Sequence, residues 1–171
     1  MQKKRIVITG MGTVNAIGGN VSQFAVSLQS GVCGITDIDL FDTAAYRTHK
    51  GGQIKHFDPR QSIPDTFSTK RMSRADQLVF AATLEALRDA RLYPFPELFR
   101  ENTGVAIGGG AGGLFEAEDF YSDLLKKGAN RAKFSRLSSV YCASSADRIA
   151  SNLALAGPKA TFMTACSSGA T

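Results

Sequence analysis

The 171-residue sequence contains no tryptophan, only three cysteines, and no apolar run near the length of a membrane span. Such a span needs about 20 apolar residues. After the basic start, only Ile6, Val7 and Ile8 precede Thr9, which argues against a signal peptide. Three cysteines cannot all pair, so a reducing cytoplasm is the expected location. The sequence therefore predicts neither a membrane-spanning protein nor a secreted disulfide framework.

The chain carries a small excess of positive charge. The 20 basic residues exceed the 15 acidic ones by five, which fits an acidic partner or a solvated surface. No pattern of basic and aromatic residues supports nucleic-acid binding, so we expect no such partner. With 43% hydrophobic residues the chain is too apolar for disorder, and its length suits one domain or a piece of a larger one.

Short apolar runs and amphipathic stretches alternate along the chain. We predict strands over residues 5–9, 104–108 and 160–163. We predict helices after the caps Asn20 and Ser73, after the glycine-rich stretch 108–113, and over roughly 139–156. The third helix is expected to pack through Leu114, Ala117, Tyr121 and Leu124. This order predicts an α/β fold with a largely parallel sheet.

One cysteine stands where a nucleophile could. Cys166 follows the last predicted strand, within the run of small residues 164–171. A strand that turns into a helix presents a side chain at the helix N-terminus. Unpaired N–H groups there favour a thiolate and can bind a developing oxyanion. From these residues alone, a nucleophile and a small buried residue in a tight turn are equal alternatives.

Seven short segments of the chain resemble motifs in the N-terminal half of the β-ketoacyl-acyl-carrier-protein synthases, the condensing enzymes of fatty acid and polyketide synthesis. The matching segments are residues 5–12, 31–35, 41–42, 70–72, 104–114, 157–158 and 164–169. Each motif alone is weak, whereas the whole set in this order and spacing is specific. The chain looks most like the type II, chain-elongating branch.

The resemblance implies a thiolase-like fold of alternating α and β layers. It also implies a reaction. Cys166 accepts an acyl group as a thioester, malonyl-carrier protein loses CO₂, and the carbanion lengthens the chain by two carbons, which is covalent catalysis. The backbone N–H of Cys166 is one of two oxyanion donors in this scheme. The implied partners are an acyl carrier protein and a second synthase subunit, identical or related, and the only prosthetic group is the carrier's phosphopantetheine, with no metal.

The two catalytic histidines and the supporting lysine of the family lie downstream of its cysteine, whereas this sequence continues for five residues after Cys166. His49 and His56 lie far upstream, so neither is expected to be catalytic. The expected organisation is an N-terminal synthase domain over residues 1–171, truncated just after the nucleophile, inactive alone and lacking the C-terminal half. The alternatives are a carrier-binding or subunit-pairing module, and a decarboxylating or chain-starting relative.

Other residues acquire expected roles from the same resemblance. Lys70, Arg71 and Arg74 are expected to receive the acidic carrier, with a solvated helix end as the alternative. The basic stretch 126–136 is interpreted as a solvated loop. The acyl pocket is expected to lie at Gly109, Gly110 and Ala111, where the small side chain of Ala111 would lengthen or widen the pocket.

One segment departs from the family's usual sequence pattern, and two further cysteines remain to be interpreted. Segment 134–143 differs from the aromatic, proline and asparagine pattern usual in the family, which leaves the substrate, the partner subunit and the pathway open. Cys33 and Cys142 are interpreted as small buried residues.

A dinucleotide-binding domain is the rival from another class, because a predicted strand followed by glycines begins the chain. Gly10 and Gly12 are followed by glycine only at Gly18 and Gly19, which is the wrong spacing for G-x-G-x-x-G. No acidic residue closes a second strand about 20 residues later. We therefore do not favour this interpretation.

Overall fold

The computed structural model describes residues 5–171. Its α-helices are α1 (Val21–Gln29), α2 (Pro59–Ser62), α3 (Arg74–Asp89), α4 (Leu114–Lys127) and α5 (Ser144–Leu153). Its strands are β1 (Ile35–Asp37), β2 (Lys50–Gly52), β3 (Val105–Gly108) and β4 (Lys159–Phe162). Short 3₁₀ helices occupy Glu97–Asn102, Phe134–Ser139 and Ala165–Ala170. Within residues 5–171, no helix combines the length and the hydropathy needed to cross a bilayer.

The four strands form two separate pairs. β3 and β4 run parallel, with Val105 opposite Lys159 and Gly108 opposite Phe162. The chain between them contains α4 and α5, as a parallel crossover requires. β1 and β2 pair antiparallel as a small hairpin apart from this sheet. The predicted strands near 104–108 and 160–163 are therefore confirmed within one residue.

The predicted strand over residues 5–9 is wrong. These residues form no strand, and Ile6, Val7 and Ile8 are exposed, Ile6 almost completely. A strand needs backbone partners for its N–H and C=O groups, and the β3–β4 ladder of the described residues does not extend to this segment.

The chain that follows packs closely on α3. A Cβ atom on Gly12 would lie 1.9 Å from the carbonyl oxygen of Ala82, so only glycine allows this approach. The backbone N–H groups of Met11 and Thr13 donate to the carboxylates of Asp89 and Glu85, each at 2.9 Å.

Two predicted helix starts are confirmed by their caps. The side chain of Asn20 accepts the backbone N–H of Gln23 at 2.8 Å and begins α1. Ser73 begins α3, where its hydroxyl accepts the N–H of Asp76 and the Asp76 carboxylate accepts the N–H of Ser73. Gly31, with φ of 67°, follows the end of α1 as predicted.

The two later helices differ from their predictions. The buried residues of α4 are Ala117 and Phe120, whereas Leu114 and Tyr121 are exposed, so the predicted packing face is only partly right. Helix α5 is shorter than 139–156, because a 3₁₀ helix precedes it and Ala154 ends it in the left-handed conformation, with φ of 54°.

The core lies between α3, α5 and β3. Phe80 and Leu84 of α3 are completely buried against Ile149 and Leu153 of α5 and Val105 of β3. Burial of a large apolar side chain contributes about 1.5–3 kcal/mol. This packing fixes α5 over the parallel strands whose ends form the candidate site.

A buried carboxylate joins the two helices at their N-termini. Asp76 is 1% exposed, and besides the N–H of Ser73 it accepts the hydroxyls of Ser144 at 3.1 Å and Ser145 at 2.8 Å. Both serines belong to the first turn of α5. A negative charge at a helix N-terminus is favourable. Here the single carboxylate of Asp76 lies at the N-termini of both α3 and α5.

We expect Asp76→Ala to lower the free energy of unfolding of the chain by about 2–4 kcal/mol, because it leaves two buried donors and one half-buried donor without an acceptor. Urea denaturation followed by circular dichroism measures this change. The exposed Asp65→Ala is the control and should change stability by less than about 0.5 kcal/mol. Equal stability of the two variants would contradict the role of Asp76.

Candidate active site

Cys166 lies in a tight turn directly after β4. Ala165 adopts the left-handed conformation, with φ of 50°, which is uncommon for a residue with a side chain. The 3₁₀ helix Ala165–Ala170 then begins, and the thiol of Cys166 is exposed near its start. Strained backbone of this kind concentrates at functional sites. The strand-to-turn position expected for a nucleophile is therefore present, and among the described residues none covers the thiol as a buried cysteine would require.

Ser168 holds this turn in shape. Its hydroxyl accepts the backbone N–H of Thr164 at 2.9 Å and donates to the carbonyl of Ala165 at 2.8 Å. Ser168 is 7% exposed, while Cys166 beside it is open to solvent. In the sequence, Ser168 is only one of the small residues around Cys166. The missed signal is a serine two residues after the cysteine, which can bond back to the turn.

The glycine-rich stretch 108–113 contacts the turn that bears Cys166. A Cβ atom on Gly108 would lie 2.2 Å from the carbonyl oxygen of Ser168, so the end of β3 touches the turn that bears Cys166. The N–H of Gly109 donates to the carbonyl of Phe162 at 3.1 Å and continues the β3–β4 ladder. The structure thus brings together two segments that lie more than 50 residues apart in sequence.

The middle of the glycine-rich stretch is open. Gly110 and Ala111 are exposed, and a Cβ atom placed on Gly109 or Gly110 would meet nothing within 4 Å. Gly112 and Gly113 are closed by contrast, since their added Cβ atoms would lie 2.8 Å from the carbonyl oxygen of Val140 and 2.4 Å from that of Ser139.

The other two cysteines are not the buried residues that the sequence suggested. Cys33 is exposed, and its thiol lies 3.9 Å from the carbonyl oxygen of Ile35. Cys142 is half-buried and donates through Sγ to the carbonyl of Gly110 at 3.4 Å. Cys142 therefore contacts the same stretch that adjoins Cys166.

Of the three basic residues near the start of α3, two face a common cleft. Lys70 and Arg71 line a cleft of about 340 Å³ together with Arg136, while Glu116 lies on its wall. The third residue, Arg74, is used within the chain. Its guanidinium donates to the carbonyl of Ile54 at 2.7 Å and lies 5.6 Å from the centre of the Phe57 ring. Its backbone N–H donates to the carboxylate of Glu116 at 3.1 Å.

The basic stretch 126–136 is only partly the solvated loop that was expected. Helix α4 continues through Lys127, which pairs with Asp123 at 2.6 Å, and Arg136 pairs with the same carboxylate at 3.2 Å. The hydrogen bond from Lys127, helped by the charges of Lys127 and Arg136, lowers the pKa of Asp123. Arg131 and Lys133 remain exposed in the loop.

Both histidines lie in the N-terminal third of the chain, outside the segments that surround Cys166. His49 is exposed and shares a hydrogen bond with Thr43 at 3.0 Å. His56 lines a cavity of about 550 Å³ that is formed by residues between 14 and 62. Among the described residues, no three His, Cys, Asp or Glu side chains cluster as ligands of a metal would.

Solved ketosynthase structures share this fold. The chain superimposes with a TM-score of 0.81 on a beta-ketoacyl synthase from Burkholderia phymatum, covering 98% of this chain and 41% of that one at 23% identity. The ishigamide ketosynthase/chain length factor gives a TM-score of 0.79 at 22% identity, over 95% of this chain and 40% of that chain. These similarities confirm the predicted thiolase-like α/β fold.

Curated relatives point to one enzyme name. The chain is 34% identical over 169 residues to the 3-oxoacyl-[acyl-carrier-protein] synthase 2 of Synechocystis, and 33% identical over 172 residues to that of Vibrio cholerae. In both cases the match covers 99% of this chain and 40% of the relative. The chain thus spans about two fifths of the length of the curated relatives it matches.

The sequence profile described as "Beta-ketoacyl synthase, N-terminal domain" matches residues 3–171, almost the whole chain. This match includes the glycine-rich stretch, the basic residues of the cleft and the turn that bears the exposed thiol. The chain therefore belongs to the β-ketoacyl synthase family, whose N-terminal domain it matches.

Proposed function

We propose that this chain supplies the nucleophile-bearing part of an enzyme that condenses an acyl group with malonyl-acyl-carrier protein. The observation that carries the proposal is the exposed thiol of Cys166, held in a tight turn against the glycine-rich stretch at the ends of two parallel strands. Family membership and the relatives named 3-oxoacyl-[acyl-carrier-protein] synthase 2 support the same chemistry.

The proposed reaction begins with transfer of an acyl group to Cys166. Its thiolate attacks the carbonyl carbon of the acyl thioester, and the carrier's phosphopantetheine thiol leaves. Malonyl-carrier protein then loses CO₂, its carbanion forms a carbon–carbon bond to the bound acyl carbonyl, and the Cys166 thiolate is released. The backbone N–H of Cys166 donates to the oxyanion that develops in each attack.

The remaining groups of the family's machinery, two histidines and a lysine, have no counterpart that we assign in this chain. The described part of the chain contributes the nucleophile, the glycine-rich wall of the acyl site and the cleft for the carrier. We propose that the condensation is carried out by the protein expressed from its complete reading frame, as a dimer in the cytoplasm, and that the 171-residue chain alone does not condense.

The carrier is proposed to dock at the cleft lined by Lys70, Arg71 and Arg136. Lys70 and Arg71 suit an acidic surface, and Arg136 on the same opening is paired with Asp123. A carrier as partner is supported by the solved structural relative AntDE:AntF, described as a type II PKS acyl-carrier protein in complex with its ketosynthase. Arg74 is not assigned to docking, because its guanidinium is bound within the chain.

A module that binds a carrier but does not condense is the second candidate. It is favoured by one observation, that the side chains lining the cleft all come from residues 70–139 of this chain. Acylation of Cys166 separates the two candidates, since a binding module needs no acyl-enzyme.

We expect that incubating the full-reading-frame protein with a carrier protein that is loaded with an acyl group adds one acyl group at Cys166. Intact mass and peptide mapping measure the thioester. Cys166→Ala should abolish the adduct, because the attacking thiolate is lost. Cys33→Ser removes another exposed thiol and is the matched control, which should acylate normally. Carrier binding without any adduct on the unaltered protein would favour the binding module.

Charge reversal in the cleft should weaken carrier binding. We expect Lys70→Glu together with Arg71→Glu to raise the Kd for the acyl carrier by about tenfold or more, with a smaller effect at high salt. Titration calorimetry at two salt concentrations measures this change. Arg47→Glu, which reverses an exposed charge far from the cleft in sequence, is the control. A Kd that does not respond to the double reversal would place the carrier elsewhere.

Enlarging Ala111 should shorten the accepted acyl chain. We expect Ala111→Ile to reduce kcat/KM for the longest accepted acyl group by about tenfold and to spare short ones, because the new side chain fills pocket volume. An acyl-length series measures the profile. Ala129→Ile, in the exposed loop after α4, is the control. An unchanged profile for Ala111→Ile would show that this position is not in the acyl pocket.

A further inference from the structure

The segment of residues 134–142 lies between the basic cleft and the glycine-rich stretch. It includes the 3₁₀ helix Phe134–Ser139 and leads into α5. Ser135, Arg136 and Ser139 line the cleft, while Cys142 bonds to the carbonyl of Gly110. The segment thus touches both the proposed docking region and the proposed acyl region.

One residue of this segment is bonded to both regions at once. Ser139 is 2% exposed, and its hydroxyl donates to the carbonyl of Arg71 at 2.5 Å. Its own carbonyl accepts the N–H of Gly113 at 2.8 Å. A single buried residue therefore links the backbone of the cleft to the backbone of the glycine-rich stretch.

Both partners of Ser139 are tightly constrained. Arg71 is in the left-handed conformation, with φ of 65°, and its carbonyl also accepts the guanidinium of Arg148 at 3.1 Å. Gly113 approaches Ser139 so closely that an added Cβ atom would lie 2.4 Å from the serine carbonyl. The hydroxyl of Ser138 donates to the same Arg71 carbonyl at 3.4 Å. Of the residues that bond this carbonyl, however, Ser139 is the one that also accepts the N–H of Gly113, so it links the positions of the two regions.

We propose that Ser139 is a positioning residue that fixes the position of the docking cleft relative to the glycine-rich stretch. A carrier bound at Lys70, Arg71 and Arg136 then presents its acyl chain at the correct place for Cys166. This inference rests on the proposed function. It predicts a residue whose loss harms acylation from a docked carrier but spares acylation from a small thioester, which does not use the cleft.

The test compares two acyl donors on the full-reading-frame protein, octanoyl-carrier protein and octanoyl-N-acetylcysteamine. We expect Ser139→Ala to lower kcat/KM for acylation of Cys166 by about tenfold with the carrier, because misplacement by a fraction of an ångström is costly in such a transfer. With the small thioester the change should stay below about twofold. Ser139→Thr retains the hydroxyl and should restore part of the carrier-dependent rate.

Thr83→Val is the matched control, since it also removes a hydroxyl that donates to a backbone carbonyl, here that of Val79 within α3 and not that of Arg71. Any change in kcat/KM for acylation that this control causes should be equally large with the two acyl donors. Equal losses with both donors for Ser139→Ala, or no loss, would overturn the inference. If Ser139→Ala is insoluble, Ser139→Cys, with a weaker donor, should show the same selectivity, and its absence would likewise overturn the inference.

Failure of the proposed function looks different. If the unaltered protein is acylated at Cys166 by neither donor, the enzymatic proposal itself is wrong and the inference falls with it. If the unaltered protein is acylated by both donors and the variant loses them equally, only the role of Ser139 is refuted.

Discussion

The buried carboxylate of Asp76 is the contact on which the arrangement of the site depends. Two helices begin beside it, and each helix N-terminus brings unpaired N–H groups and a partial positive charge. Without an acceptor, the buried N–H of Ser73, the buried hydroxyl of Ser144 and the half-buried hydroxyl of Ser145 would lose their partner. α3 begins directly after the basic residues of the cleft, and α5 leads into β4 and Cys166. The cleft and the turn that bears Cys166 are thus connected through the same buried carboxylate.

The parts of the fold that sequence predicted well are those set by local interactions. Asn20 and Ser73 cap helices through bonds to residues three positions away, so their effect is visible in a short window. The strand predicted over residues 5–9 fails for the opposite reason. An apolar run shows that a segment prefers burial, but a strand also requires a neighbour, and no property of the run itself identifies one. The exposed faces of α4 show the same limit, since periodicity predicts a face but not what covers it.

The sequence predicted that Cys166 follows a strand and that the glycine-rich stretch follows another, and the structure brings these two segments into contact. The sequence did not separate Arg74 from Lys70 and Arg71, because the partners of the guanidinium, Ile54 and Phe57, lie 20 and 17 residues upstream in an irregular segment. It also missed the hydroxyls of Ser168 and Ser139, which act through bonds to backbone carbonyls. Serine is too common for its composition to reveal such a bond, and only the folded geometry shows which hydroxyls are buried and directed.

The glycines between 108 and 113 are of two kinds, and this affects how the family can vary. Gly108, Gly112 and Gly113 are pressed against the backbone of Ser168, Val140 and Ser139, so a side chain at any of them would push apart the elements that define the site. Gly109 and Gly110 face open space, and a side chain there would change the volume above the stretch without moving the backbone. The same short loop therefore combines three positions where a side chain would displace neighbouring backbone with two positions that accept a side chain without such displacement.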